Sequence, residues 1–142
     1  MKIAVINGPN LNLLGKRETG IYGNQTMKDY FRELEEVFTE DSLCYHQSND
    51  EAELITTIHR LAESVDGIVL NPGGLTHTSV VLADAIRGIN IPVVEVHVSH
   101  VMSRESYRKR SLISAACLGS ISGFGMKSYE LGICALTGML KL

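Results

Sequence analysis

Apolar and polar positions follow two alternating periods along this chain. Short, nearly continuous β-branched runs are separated by stretches in which apolar residues recur every three or four positions. Lys2 to Asn7 is such a run, broken by Gly8-Pro9, and predicts a buried strand. Gly8 to Gln25 reads as a long loop rich in Gly and Asn, and loops of that length in compact domains are usually functional. Thr26 is placed to cap a helix carrying Phe31, Leu34, Val37 and Phe38. Ser42 to Gln47 predicts a second strand. Asp50 caps a second helix with Leu54, Ile55, Ile58, Leu61 and Ala62 on its inner face. Gly67 to Asn71 is a third strand, apolar on both faces and stopped by Pro72-Gly73-Gly74. A helix from about Thr78 to Arg87 carries Val81, Leu82, Ala85 and Ile86. Pro92 to His97 is a fourth strand, followed by a polar, arginine-bearing segment from Ser99 to Arg110. Ser114 to Ser122 contains a fifth strand of small residues. A last helix begins near Met126 or Lys127 and carries Leu131, Ala135, Leu136 and Met139.

Strands that are apolar on both faces, alternating with amphipathic helices, imply a parallel sheet covered on both sides. The expected fold class is α/β: a flavodoxin-like, doubly wound, five-stranded parallel sheet of order 2-1-3-4-5. No repeat or linker interrupts residues 1–142, so one domain is expected. A hydrophobic fraction of 44% and a charged fraction of 20% suit an ordinary globular chain. The formal net charge of −3 argues against a nucleic acid as partner, since phosphate binding needs a basic surface. Cys44, Cys117 and Cys134 fit no zinc or redox spacing and read as buried or half-buried thiols in a reducing compartment. No apolar run reaches the roughly 18 residues of a membrane span, and the apolar start is too short for a signal peptide. The expected location is the cytoplasm.

In doubly wound sheets, ligands bind beyond the carboxyl ends of the strands at the switch point. Here those ends carry Asn7-Gly8-Pro9-Asn10, then Asn71-Pro72-Gly73-Gly74 with Thr76, His77, Thr78 and Ser79, then Glu95, His97, Ser99 and His100. Some of these have structural readings. Asn7 and Asn10 suit turns, Gly73-Gly74 suit a tight strand-to-helix turn, and Thr76 and Thr78 suit helix caps. Glu95 and His97 are harder to dismiss. They lie two apart, on one side of a strand whose other members are Val and Pro, and a carboxylate beside an imidazole fixes its tautomer and raises its basicity. On the long loop, Arg17 and Tyr22 suggest a phenol whose ionised form is favoured by a guanidinium. Arg104, Arg108 and Arg110 read either as carboxylate binders or as a solvated face. A metal site built from His77, His97, His100 and Glu95 matches no standard ligand spacing. Gly8-Pro9-Asn10 lacks the glycine pattern of dinucleotide folds. A non-catalytic module that only binds a cyclic acid in the crevice is the alternative class; turnover separates it from an enzyme.

Taken together, the motifs resemble the type II dehydroquinases. They are Asn7 to Gly15 with Arg17-Glu18 and Tyr22-Gly23; Gln47-Ser48-Asn49; Asn71 to Gly74 with Thr76 to Ser79 and Asp84-Ala85; and Glu95 to Ser99 with Arg104-Glu105 and Arg108. The resemblance spans nearly the whole chain in order. It implies cofactor-free and metal-free dehydration of 3-dehydroquinate to 3-dehydroshikimate by anti elimination through an enolate. By the same resemblance Tyr22 is the base, with Arg17 favouring its phenolate, and Asn10 holds a water against the enolate oxygen. His97 is the general acid, oriented by Glu95. Asn71, His77 and Arg108 grip ring hydroxyls, while Val98 and Ser99 hold the carboxylate. Asp84 reaches a neighbouring subunit's site, which implies trimers assembled into a dodecamer. Arg104 looks like part of the loop machinery. The Schiff-base route of the unrelated type I enzymes needs a buried lysine, whereas Lys16, the one lysine near the expected site, sits on the loop. Departures are Thr19-Gly20, where many members have proline and which should loosen the loop, Ala52 for glycine, and His100 for asparagine beside the carboxylate pocket.

Overall fold

The computed structural model describes residues 1–140. Its sheet consists of β1 (Lys2–Asn7), β2 (Ser42–Gln47), β3 (Gly67–Asn71), β4 (Val93–His97) and β5 (Gly119–Ser122). All neighbours pair in parallel, in the order β2-β1-β3-β4-β5. This is the flavodoxin-like α/β arrangement expected from the alternating periods. Among the described residues five α-helices accompany it: α1 (Thr19–Tyr22), α2 (Met27–Val37), α3 (Glu51–Leu61), α4 (Val80–Arg87) and α5 (Lys127–Leu140). Among the described residues no helix is long and apolar enough to cross a membrane.

Successive strand residues feed two core layers, because side chains alternate across a sheet. Ile3, Val5, Val69, Val94 and Val96 meet Leu34 of α2 and Tyr129, Ile133 and Leu136 of α5. Ala4, Ile6, Ile68, Leu70 and Val93 meet Leu54 and Ile58 of α3 and Leu82 and Ile86 of α4. Both layers exclude water, which is the main favourable contribution to the fold. Thr26 and Asp50 cap α2 and α3, accepting from the amides of Asp29 (3.3 Å) and Glu53 (3.0 Å).

Several details differ from the sequence reading. Ser79, not a threonine, caps α4, accepting from Leu82 N at 3.0 Å. Thr76 instead donates to the Gly73 carbonyl (2.7 Å) within a 3-10 turn, Gly73–His77, that precedes the helix. Val37, Val81, Leu131 and Met139 are exposed, although they fit the apolar spacing. In α5 the reason is geometric. Gly132 faces the sheet so closely that a Cβ there would lie 3.0 Å from Cγ1 of both Val69 and Val96. The helix therefore docks through Tyr129, Gly132, Ile133 and Leu136, and its Leu131 and Met139 edges turn outward. The segment after β1 is not plain loop either. It holds a 3-10 turn at Leu11–Leu13 and the short α1, so Thr19 and Gly20 open a helical turn where they were expected to loosen the loop. Cys44 and Cys117 are half-buried and Cys134 is exposed; all three are free.

Candidate active site

β1 and β3 end side by side, with Asn7 in register with Asn71, and β4 follows β3 in the sheet. Above these ends lies a cleft of about 160 Å³ lined by Asn10, Arg17, Tyr22, Asn71, His77, His97, Val98, Ser99, Arg104 and Arg108, among others. Segments distant in sequence thus converge where the switch-point rule places a ligand. Two positions are held by unusual backbone. Asn10 adopts a left-handed conformation (φ 69°), and its amide donates to Asn49 Oδ1 at 2.9 Å. Gly73 has φ +60° and leaves no room for a side chain, since a Cβ would come 2.8 Å from the Pro9 carbonyl oxygen. Glycine there lets the loops after β1 and β3 close on each other.

Glu95 and His97 form the pair their spacing implied. The His97 Nε2–H donates to Glu95 Oε1 at 2.8 Å, which leaves Nδ1 as the ring's free nitrogen. Glu95 is fully buried and held from its other side by two residues to which the sequence reading assigns no part in the site. Ser111 donates to Oε1 at 2.9 Å, and Ser114 donates to Oε2. Burial alone would raise the Glu95 carboxyl. The hydrogen bonds from His97, Ser114 and Ser111, with the charge of His97, outweigh it and hold the group below its ordinary value. Next to it, burial and then the Glu95 charge push the Cys117 thiol up to about 12, so that thiol is inert near neutral pH.

Tyr22 is half-buried at the end of α1. Arg104 Nη1 donates to its hydroxyl at 2.5 Å, and the Arg104 guanidinium lies 5.4 Å from the ring centroid. Arg17, the expected partner, stands over the ring face at 5.7 Å and pairs with Glu18 at 3.1 Å. The hydrogen bond to the phenol oxygen thus comes from Arg104, which had seemed only loop machinery. No local pattern joins residues this far apart in sequence. Arg104 also reaches Ser99 Oγ at 3.5 Å, and Arg108 pairs with Glu105 at 2.8 Å. His77 Nδ1 meets the Arg110 carbonyl oxygen at 2.7 Å, so that nitrogen carries a proton and Nε2 is the remaining position.

Asp84 does not join the cleft of its own chain. It is exposed on α4 and pairs with Arg87 at 3.4 Å. His100 does not line the cleft either: it is exposed and packs over Gly123. Lys16 lines a different, apolar groove beside Met27 and Tyr45. Among the described residues no three His, Cys, Asp or Glu side chains converge as metal ligands. Beneath the cleft, the Asn71 amide is bonded to Tyr129 of α5, a residue the periodicity had left out. The available signal was a tyrosine in a buried helix, since a buried phenol usually finds a polar partner.

The flavodoxin-like sheet brings a phenol and a carboxylate-backed imidazole to one strand-end cleft, the place where enzymes of this fold class bind their ligands. Residues 1–137 match the family model described as dehydroquinase class II. A relative named 3-dehydroquinate dehydratase, from Caldicellulosiruptor saccharolyticus, is 49% identical over 142 residues, 98% of each chain. The type II dehydroquinase of Butyrivibrio crossotus superposes with a TM-score of 0.92 at 40% identity, covering 96% of this chain and 97% of that one. The type II dehydroquinase of Propionibacterium acnes gives 0.91 at 36% identity, covering 99% and 97%. The chain belongs to the dehydroquinase class II family, and it is a hydro-lyase.

Proposed function

We propose that this protein dehydrates 3-dehydroquinate to 3-dehydroshikimate by anti elimination through an enolate, with no cofactor or metal, in the shikimate pathway or in quinate breakdown. One observation carries the reading: Tyr22, bonded to Arg104, and His97, bonded to Glu95, open on the same cleft.

Tyr22, whose oxygen Arg104 holds, is the base that removes a proton from C2 next to the ketone, acting as its phenolate. Arg17 stands over the face of the same ring. The electrons of the broken C–H bond move onto the ketone oxygen as an enolate. Asn10, fixed by its bond to Asn49, holds a water that stabilises the new charge. The enolate then collapses to form the C1–C2 double bond and expels the C1 hydroxyl. His97 gives that hydroxyl a proton and it leaves as water. The buried Glu95 carboxylate accepts from the ring Nε2 and keeps the imidazole oriented. Asn71, His77 and Arg108 take the ring hydroxyls, and Val98 and Ser99 take the carboxylate.

Residues 1–142 act as one catalytic domain in the cytoplasm, in a homo-oligomer built of trimers, with a dodecamer as the full assembly. Asp84, pointed away from its own cleft, serves a neighbouring one. The deciding experiment is an ultraviolet assay. Addition of 3-dehydroquinate should generate the absorbance of a conjugated enone, with chelator and borohydride both without effect. No absorbance change, or inactivation by borohydride in the presence of substrate, would overturn the reading.

A further inference from the structure

A chain of buried hydrogen bonds runs under the cleft from β2 to the loop after β3. The Asn7 amide nitrogen donates to Tyr45 Oη at 3.2 Å, and Tyr129 Oη donates to Asn7 Oδ1 at 2.8 Å. The Asn71 amide nitrogen donates to Tyr129 Oη at 2.9 Å, and Gly73 N donates to Asn71 Oδ1 at 3.2 Å. Asn7 and Tyr129 are fully buried and Asn71 nearly so. No water is needed to complete the bonding of the Tyr129 hydroxyl, which has one donor and one acceptor neighbour.

A carboxamide and a hydroxyl can each be turned round, so such a chain has two formal directions. Here only one can be satisfied. The Gly73 amide is a backbone donor and cannot change role, so Asn71 must turn its oxygen toward it. The Asn71 nitrogen then faces Tyr129, whose hydroxyl must accept. The single Tyr129 proton is therefore directed to Asn7 Oδ1, and the Asn7 nitrogen to Tyr45. The reverse direction would set two N–H groups against each other at Gly73. Burial pushes the Tyr129 hydroxyl well above its ordinary value, so it keeps the proton this direction requires. Bonded in this way, Asn71 has one N–H left over, and Asn71 lines the cleft.

We propose that Tyr129 is a positioning residue: from beneath the cleft its hydroxyl accepts from the Asn71 nitrogen and, with the Gly73 amide on the oxygen side, locks the carboxamide in the orientation that offers an N–H to the substrate. This rests on Asn71 holding a ring hydroxyl, as in the proposed function. A residue fifty-eight positions away thereby anchors a binding group whose polarity the Gly73 amide sets. Without the phenol oxygen, the Asn71 nitrogen and Asn7 Oδ1 lose their partners, and the Asn71 amide is held at its oxygen alone.

Steady-state kinetics with 3-dehydroquinate test this on Tyr129→Phe, Asn71→Ala, the double variant and Tyr45→Phe. Tyr129→Phe should raise KM by about tenfold and change kcat by less than about twofold, the pattern of lost uniform binding. In the Asn71→Ala background the same change should raise KM no further. Tyr45→Phe, which removes a hydroxyl from the far end of the same chain, should alter neither constant. An unchanged KM in Tyr129→Phe, or an effect that multiplies with Asn71→Ala, overturns the proposal. If Asn71→Ala itself leaves KM unchanged, the fault lies in the assignment of Asn71 to the substrate. If only Tyr129→Phe is silent, the fault lies in this inference alone. Should Tyr129→Phe not fold, neutron diffraction on the deuterated wild-type protein decides. Deuterium on Tyr129 Oη directed at Asn7 supports the proposal, and deuterium directed at Asn71 overturns it.

Discussion

Tyr22 and Arg104 are separated by 82 positions in the chain, yet 2.5 Å separates the phenol oxygen from the guanidinium. That contact ties the segment after β4 to the oxygen proposed to act as base. Tyr22→Phe keeps the ring that both arginines face and removes only the reacting oxygen. Its kcat should fall by at least about 10²–10⁴-fold while substrate still binds, measured by turnover and by equilibrium titration of the inactive variant. Turnover within a few-fold of wild type would strike Tyr22 from the mechanism. Glu95 carries a second prediction at this scale. Its folded value lies below the ordinary 4.5, so the native state releases its proton more readily than the unfolded chain. The stability it contributes is complete above that ordinary value and is lost as pH falls through the depressed one. Glu95→Gln should therefore be less stable than wild type at neutral pH and show a shallower acid limb in a plot of Tm against pH. An acid limb of unchanged steepness would show that another carboxylate governs it. The Glu95–His97 pair was legible because two residues on one strand share a face by simple alternation. The Arg104–Tyr22 bond and the Ser111–Ser114 clamp were not, because they depend on how a long irregular segment folds back over the sheet.

At the scale of elements, strand identity and order followed from periodicity, since buried β-branched runs between amphipathic segments admit few topologies. The outward faces of α4 and α5 did not follow. Periodicity marks every apolar position alike, and only contact distance decides which ones dock. Gly132 decides it for α5, because the helix sits against Val69 and Val96 where a larger residue cannot fit. Gly132→Val should cost about 1–3 kcal/mol through overpacking, read as a lower urea midpoint with an unchanged slope. A neutral result would mean that α5 can lift from the sheet without loss. The helical turn of α1 escaped notice for a different reason. Four residues give too little sequence for a period, and Glu18 enters it with φ 45°, a conformation no propensity favours.

For the whole molecule, the single chain assembles every group of the proposed chemistry except Asp84. Exposed apolar side chains, among them Val80, Val81, Leu118, Phe124 and Met139, leave surface that association would cover. Val80 and Val81 share the short α4 with Asp84. If Asp84 serves a neighbouring cleft, two defective chains should repair each other. Asp84→Ala and Tyr22→Phe subunits, dissociated, mixed and reassembled, should regain part of the activity that either lacks alone. The repaired clefts are those with Tyr22 from one chain and Asp84 from the other. Recovery no greater than the sum of the separate samples would confine Asp84 to its own chain.

The placement of Tyr129 on the last helix has a consequence for how the protein comes into being. Tyr22, Asn71, His77, His97, Arg104 and Arg108 all leave the ribosome before α5 does. In the proposed arrangement the Asn71 amide is locked from both sides only when α5 docks. A nascent chain that lacks α5 thus carries the other groups of the proposed chemistry with Asn71 held on one side only, so a full grip on the substrate waits on the synthesis of that helix.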